Sequence, residues 1–478
     1  MDNKRFTNAP HNLCVRKMMF LLRTFVVFVG LVFCAAMTVY GENTAGFSTI
    51  RLTSELDPFT AQRELWHNAQ ITVESNILEF SLHNTDILLR GRGNTTWWFG
   101  PDKRPLRFRF YEPREMLGFG SAHRDWILLA NHFDRSLLRN YTALHLGRLL
   151  DGLDNTPRCS FVHLYVNGQY MGVYQLTDER DLGVGRTDLR LHENPAISEY
   201  MLEWDSRMRD EPDEGLHWVL TSTDIPFEIR FPSGNASSYA HAEYVLDYLE
   251  RVSHALRSGN FEEFKNLVDI PSFVDFYLVQ EFTKNPDVHF SSVFMTIRWH
   301  GGERRLVLGP LWDFDLAAGG SRMASPEEYD YSPYGITAAA RNYWFRYAMK
   351  MPEFAVIVAR RWDELRQYEI YNTIRRIEFL QRRYAADFNR NFERHRIMGT
   401  RVWDEPDGIV GITTHAGQVA HLVDWLERRA IWLDGHFGAI YEPAIRTWAD
   451  ILRSFVNHIR QNAYNFKTKW RNAIWTAC

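Results

Sequence analysis

Two alternating runs, FVHLYV and QYMGVYQL, meet at Asn167-Gly168, and this junction constrains the fold more than any other stretch of the chain. Asn and Gly both tolerate positive φ, which a two-residue turn needs if its twist is to match that of the strands it joins. A hairpin over residues 161–176 follows, and with it an antiparallel sheet. The preceding residues supply further strands for that sheet. ITVESNILEF (71–80) alternates, RPLRFRF puts Leu106, Phe108 and Phe110 on one face, and DWILLA (125–130) reads as another strand. Between them Gly91 and Gly93 interrupt ILLRGRGNTTWW. Asp134 is expected to cap a helix over residues 135–150, with Gly152 as its stop.

Beyond residue 240 the periodicity changes to that of helices. HAEYVLDYLERVSHALRSG is amphipathic and ends at Gly259, and PSFVDFYLVQEFTK is bounded by Pro271 and by Asn285-Pro286. One strand pair interrupts, VFMTIRW and RRLVLG around His300-Gly301-Gly302, before helical stretches at 351–395 and 416–436. The polar stretch GGSRMASPEEYDYSPYG (319–335) is long for a loop, which suits a functional lid or a mobile insertion. The fold class is α+β, with the β part first.

The ends narrow the class of protein. Lys4, Arg5, Arg16 and Lys17 precede an apolar run over 24–40 that reads as an export signal ending near Gly41, and its length also suits an uncleaved anchor. Cleavage would remove five basic residues and one acid, leaving 50 Lys and Arg against 58 Asp and Glu, a formal charge of −8. That sign disfavours nucleic acid as the partner. Cys159 and Cys478 would remain, so one disulfide is possible and a disulfide scaffold is not. The 16 Trp, 21 Tyr and 32 Phe suit core packing first and sugar- or base-stacking surfaces second.

The chemistry candidates are acids. GPLWDFDLAAGG (309–320) sets Asp313 and Asp315 two residues apart among apolar neighbours; in an extended segment both project from one face, with Trp312, Phe314 and Leu316 opposite. Neighbouring carboxylates repel, so they face water, share a proton or hold a cation. The plain alternative is a strand that ends in an Asp-rich turn. Asp287 follows directly on the helix ending near 284, where partly negative carbonyls raise the basicity of a nearby carboxylate and suit a general base. A surface Asp fits the same position. His289 suits a metal ligand or a local hydrogen bond. RGRGNTT presents Arg92 and backbone amides either to phosphates or as a plain turn. The H-R-D in AHRDWILLAN imitates a kinase signature, but Asp125 leads into a strand far upstream of Asp313 and the match is read as coincidence. No P-loop, H-E-x-x-H or G-x-S-x-G motif is present.

Together RGRGNTTWW, DKRPLRFRF, DWILLANHFDRSLLRN, VHLYVNGQYMGVYQLTDE, EFTKNPDVHFSS and GPLWDFDLAAGG, in that order, resemble the CotH family, the spore-coat protein H type of atypical secreted protein kinases. The resemblance covers about residues 49–436 and leaves 441–478 as a helical tail. It implies a kinase-like two-lobed fold, a β-rich N-terminal lobe and a mainly helical C-terminal lobe. It further implies ATP with Mg²⁺ or Mn²⁺, and phosphoryl transfer to Ser or Thr of exported proteins. Carried across, Asp287 matches the catalytic acid and Asp313 the metal-binding acid, with Asp315 beside it. Ser292 stands where some members carry Asn as a second metal ligand. Lys103, Arg107 and Arg92 become candidates for the phosphates. Asp178 stands where the family usually has Glu, a shortening that would withdraw its oxygens from a phosphate-binding base. These departures keep a rival open, a non-catalytic surface-binding or structural protein on the same scaffold, and the oligomeric state is not legible.

Overall fold

The computed structural model describes residues 46–100, 102–153, 155–178, 188–211, 215–233, 237–322 and 330–440. The apolar run at 24–40, the tail 441–478 with Cys478, and the middle of the 319–335 loop lie outside them. Gly46 aside, the described residues belong to one of two units into which the chain divides, Phe47–Phe455. Within them no helix is long and apolar enough to cross a membrane.

Seven strands, β1 (Ser48–Thr53), β2 (His67–Glu74), β3 (Leu82–Gly91), β4 (Leu106–Arg114), β5 (His123–Leu129), β6 (Cys159–Val166) and β7 (Gln169–Asp178), close into a barrel in the order β1-β2-β3-β4-β5-β7-β6. Asn167 and Gly168 take φ of 48° and 78°, as the expected hairpin between β6 and β7 requires. Every neighbouring pair is antiparallel except β1 with β6, which run parallel with Ser48 opposite Val162. Alternation decides what fills the barrel. Ile87 and Leu89, Leu106 and Phe108, Trp126 and Leu128 are fully buried inside it, each worth about 1.5–3 kcal/mol in apolar transfer. Residues of the opposite parity, among them Arg90, Arg107 and Asp125, point outward. A short helix α1 (Thr95–Phe99) follows β3, and its Trp97 ring lies so near Gly91 that a Cβ there would sit 2.2 Å from the ring.

Sequence and structure part in three places. NILEF does not extend β2, because residues Leu78–Phe80 form a 3-10 turn. The helix expected from 135 begins only at Arg139 as α2 (Arg139–Gly147). The Asp134 carboxylate is taken up by the turn before it, accepting from Ser136 N at 2.9 Å, Arg139 N at 2.8 Å and Arg139 Nη1 at 2.5 Å, while Leu137 sits at φ 59°. Residues 309–320 are not a strand either. Asp313 takes φ 67° and turns follow, so the two acids do not share a strand face.

The predicted strand pair is part of a larger sheet. β8 (Tyr200–Trp204), β9 (Trp218–Leu220), β10 (Pro226–Phe231), β11 (Val293–His300) and β12 (Glu303–Leu308) form an antiparallel sheet in the order β12-β11-β8-β10-β9. The helices of this region are α3 (Tyr239–Ser258), α4 (Phe261–Leu267), α5 (Ile270–Thr283), α6 (Ala338–Arg341), α7 (Tyr343–Ala348), α8 (Pro352–Gln367), α9 (Glu369–Arg383), α10 (Ala385–Arg394), α11 (Asp407–Val410) and α12 (His415–Ile440), and all but α11 share one large core with the sheet. A small separate core of Ile127 and Leu129 from β5, Met201, Phe294 and Trp312 joins the outside of the barrel to this sheet. The chain is thus α+β, with a β-rich N-terminal region and a helical C-terminal region.

The helical region is organised around one buried ion pair. Arg429 of α12 donates to the Glu281 carboxylate of α5 at 2.7 Å, with neither side chain reaching solvent. Arg429 also donates to the carbonyls of Glu281 and Gly335, at 2.8 and 2.6 Å. Glu281 in turn accepts from the N–H groups of Thr337, Ala338 and Ala339. Removing one member leaves a buried uncompensated charge. Arg429→Met is therefore expected to lower stability by about 3–5 kcal/mol, read as a lower denaturant midpoint with an unchanged slope.

Candidate active site

The outward-facing residues of β3 and β4 form one wall of a cleft of about 730 Å³. Register sets Arg90 directly opposite Arg107, and Arg63 and Arg92 line the same wall. Arg107 is held by Asp125, its Nη2 3.0 Å from Oδ1, and Arg109 pairs with the same carboxylate at 2.9 Å. That pairing gives the H-R-D aspartate its role, a strut for the basic wall. Arg92 lies over the ring of Trp312, 5.5 Å from its centroid.

The opposite wall is acidic and comes from two sources. From the sheet, Glu203 of β8 stands opposite Glu228 of β10, with Asp205 just beyond β8. Like charges in cross-strand register repel, and Arg230 bridges them, 2.6 Å from Glu203 and 2.8 Å from Glu228. Arg207 caps Asp205 with three side-chain bonds, of 2.8, 3.1 and 2.5 Å. One oxygen from each of these three acids falls within 4.8 Å of the others, close enough to hold a metal ion were the arginines displaced. From the helical region come Asp287, Asp313 and Asp315.

Asp287 is delivered by the end of α5. Lys284 leaves the helix at φ 45°, its Nζ fixed by the Ser332 carbonyl at 2.9 Å, and a 3-10 turn, Pro286–His289, presents the acid to the cleft. The Asp313 segment is tied to the same helix end, since Ala318 N donates to the Thr283 carbonyl at 2.6 Å. Ser292, at φ 62°, donates its N–H to Glu203 at 3.2 Å and its Oγ to Asp313 Oδ2 at 3.3 Å, so it touches both acid groups.

Burial and mutual repulsion act on these carboxyls together. Burial, then the charge of Asp313, pushes Asp287 up to about 7, with Arg207 and Arg341 pulling the other way. Asp315 is raised well above the ordinary carboxylate range by burial, then by Asp313 and Asp287. Such crowding of negative charge at one end of a cleft is what a divalent cation relieves.

Six of the residues singled out in the sequence, Asp287, Asp313, Asp315, Ser292, Arg92 and Arg107, are brought to this cleft. Two are not. Lys103 is buried away from it, its Nζ donating to the Val173 carbonyl at 2.7 Å over the Tyr174 ring, and burial lowers it to about 7. Asp178, the last residue of β7, accepts from Arg158 N at 2.7 Å and does not line the cleft, so the two do not form an orienting pair at the phosphates. His289 bonds the Arg341 guanidinium at 3.0 Å and is held neutral by burial, near 4. Arg63, Arg90, Glu203, Asp205 and Glu228 were not anticipated. The E-x-D spacing in LEWDSR repeats that of Asp313 and Asp315 and was the available signal.

The sequence profile described as CotH kinase protein matches residues 89–433, a span that takes in both walls of the cleft. No curated protein matches the chain.

The raised Asp287 carboxyl has a measurable consequence for stability. Below its ordinary value of 3.8 it is protonated both folded and unfolded. Between there and about 7 the unfolded chain releases the proton while the folded chain keeps it, so stability falls as pH rises. Asp287→Asn stays neutral throughout. In the presence of a chelator it is expected to melt higher than wild type at pH 8 and together with it near pH 4; equal midpoints at both pH values would contradict the assignment.

Proposed function

The chain belongs to the CotH kinase protein family, and from that premise we propose that it is a protein kinase that transfers the γ-phosphoryl group of ATP to Ser or Thr hydroxyls of exported proteins. One observation carries this reading: a single cleft sets a wall of arginines against a cluster of carboxylates, two of which are raised by burial and then by one another's negative charge. The basic wall suits phosphates and the acidic cluster suits the cation that accompanies them. The kinase-like arrangement of two lobes about the cleft belongs to the same reading.

Asp313 and Asp315 would hold Mg²⁺ or Mn²⁺, with Ser292 beside them. A cation there would neutralise charge on the phosphate oxygens. Arg92 and Arg107 take the phosphates in place of Lys103, whose amine is committed to Val173. Asp287 orients the acceptor hydroxyl and takes its proton as the new bond from that oxygen to the γ-phosphorus forms and the bridging bond to the leaving ADP breaks. A carboxyl poised near neutrality serves that proton transfer better than an ordinary aspartate. Export is part of the proposal and rests on the basic n-region and apolar run at the N-terminus.

Labelled ATP, a Ser-rich acceptor and Mg²⁺ with the purified protein test the reading. Asp287→Ala is expected to lose transfer by about 10²–10⁴-fold while keeping Mg²⁺-dependent thermal stabilisation by ATP. Asp313→Ala should lose both, and Arg107→Ala should raise the KM for ATP. A wild-type protein that no nucleotide stabilises would instead be a binding protein built on this scaffold.

A further inference from the structure

Asn285 lies at the N-cap of the 3-10 turn that carries Asp287, and its side chain is buried to 2% exposure. Its Oδ1 accepts from the N–H of Asp287 at 3.2 Å. Its Nδ2 donates to the main-chain carbonyl of Asp313, also at 3.2 Å. The β11–β12 hairpin separates these two acids in sequence, and one amide joins their backbones directly.

The Asp313 end of that link is held from both sides. On the far face of the same peptide, Phe314 N–H donates to Asn140 Oδ1 at 2.7 Å. Asn140 is itself buried and donates to Asn131 at 2.9 Å, which donates to Gln175 of β7 at 2.8 Å. The peptide between Asp313 and Phe314 is thereby gripped at its carbonyl by Asn285, just beyond α5, and at its N–H by α2, with the barrel behind. The grip has something to resist, since a non-glycine residue at φ 67° carries about 1–2 kcal/mol of strain. Released, that peptide would turn and carry the Asp313 carboxylate with it.

We propose that Asn285 is a positioning residue that fixes the separation between the proton acceptor Asp287 and the cation-holding Asp313. The inference rests on the kinase reading of the cleft. A capping role alone would be met by Asp or Ser, both good caps. Asn285→Asp keeps an oxygen for the Asp287 N–H but turns an oxygen toward the Asp313 carbonyl. Asn285→Ser keeps a cap oxygen too short to reach Asp313. The two variants therefore preserve the cap and cut the link.

Three measurements on the full chain decide the matter: thermal midpoint, Mn²⁺ affinity by electron paramagnetic resonance with a non-hydrolysable ATP analogue, and phosphate incorporation. Both variants are expected to fold, Asn285→Ser melting close to wild type and Asn285→Asp lower because its carboxyl is buried beside other acids; both are expected to bind Mn²⁺ about tenfold more weakly and to lose about 10²-fold in kcat, with KM for ATP raised by no more than the loss in Mn²⁺ affinity. Wild-type values of kcat and Mn²⁺ affinity in both would overturn the proposal, as would failure of both to fold, which would make Asn285 a structural residue. If only one folds, its Mn²⁺ affinity and kcat decide. A wild type that binds Mn²⁺ without transferring phosphate would refute the kinase reading and leave the Mn²⁺ comparison to judge the clamp. A wild type that binds no Mn²⁺ refutes both.

Discussion

Glu281 and Arg429 meet where no water reaches them, and most of what defines the candidate site hangs from that meeting. A charge pair in such surroundings is tolerable only with its remaining hydrogen-bonding capacity filled. Here three backbone N–H groups fill the carboxylate and three backbone carbonyls fill the guanidinium. Those partners come from α5 and the segment around residues 333–339, so the pair, with Arg429 on α12, sets the direction in which α5 ends. Asn285 and Asp287 leave from that end, and the Asp313 segment is hydrogen-bonded to it. A charge pair remote from the cleft thus determines where the cleft acids can be.

The cleft inverts this logic. There the acids are buried beside one another, and Asp287 and Asp315 respond by holding protons more tightly. Arg207 relieves Asp287 only in part, since it is paired with Asp205, and Arg230 is paired with Glu203 and Glu228. Backbone strain accumulates at the same place, with Ser292 and Asp313 both at positive φ. Strain and like-charge crowding lower the stability of the chain alone and favour a bound cation, a trade commonly found where function requires it.

Where local pattern and final structure agree, the sequence was readable. The Asn167-Gly168 hairpin, the alternation of β4, the β11–β12 pair and the long amphipathic α3 each satisfy one strong periodicity or turn requirement. β8 to β10 escaped because they are short, and Tyr200–Trp204 is buried along its whole length, which erases alternation. The start of α2 was misplaced because the Asp134 carboxylate serves a turn before it serves the helix. In the cleft, Asp287, Asp313, Asp315, Arg92 and Arg107 could be picked out by residue type and order. Arg63, Arg90 and Glu203 could not, since their relevance arises only when the barrel wall and the second sheet face each other. Lys103 misled for the opposite reason: a lysine in a basic stretch reads as accessible, yet its amine is enclosed over Tyr174.

The barrel is sealed by its single parallel pairing, and this has a temporal side. Ser48 on the first strand must wait for Val162 on the sixth, so the seam forms only after nearly the whole barrel has been made. Contacts that distant are slow to form, because the entropy of closing the intervening loop is lost before any pairing compensates it. Until then both β1 and β6 present unpaired edges. During synthesis the nascent barrel therefore keeps an open edge, and its vulnerability ends with the last strand to arrive rather than the first.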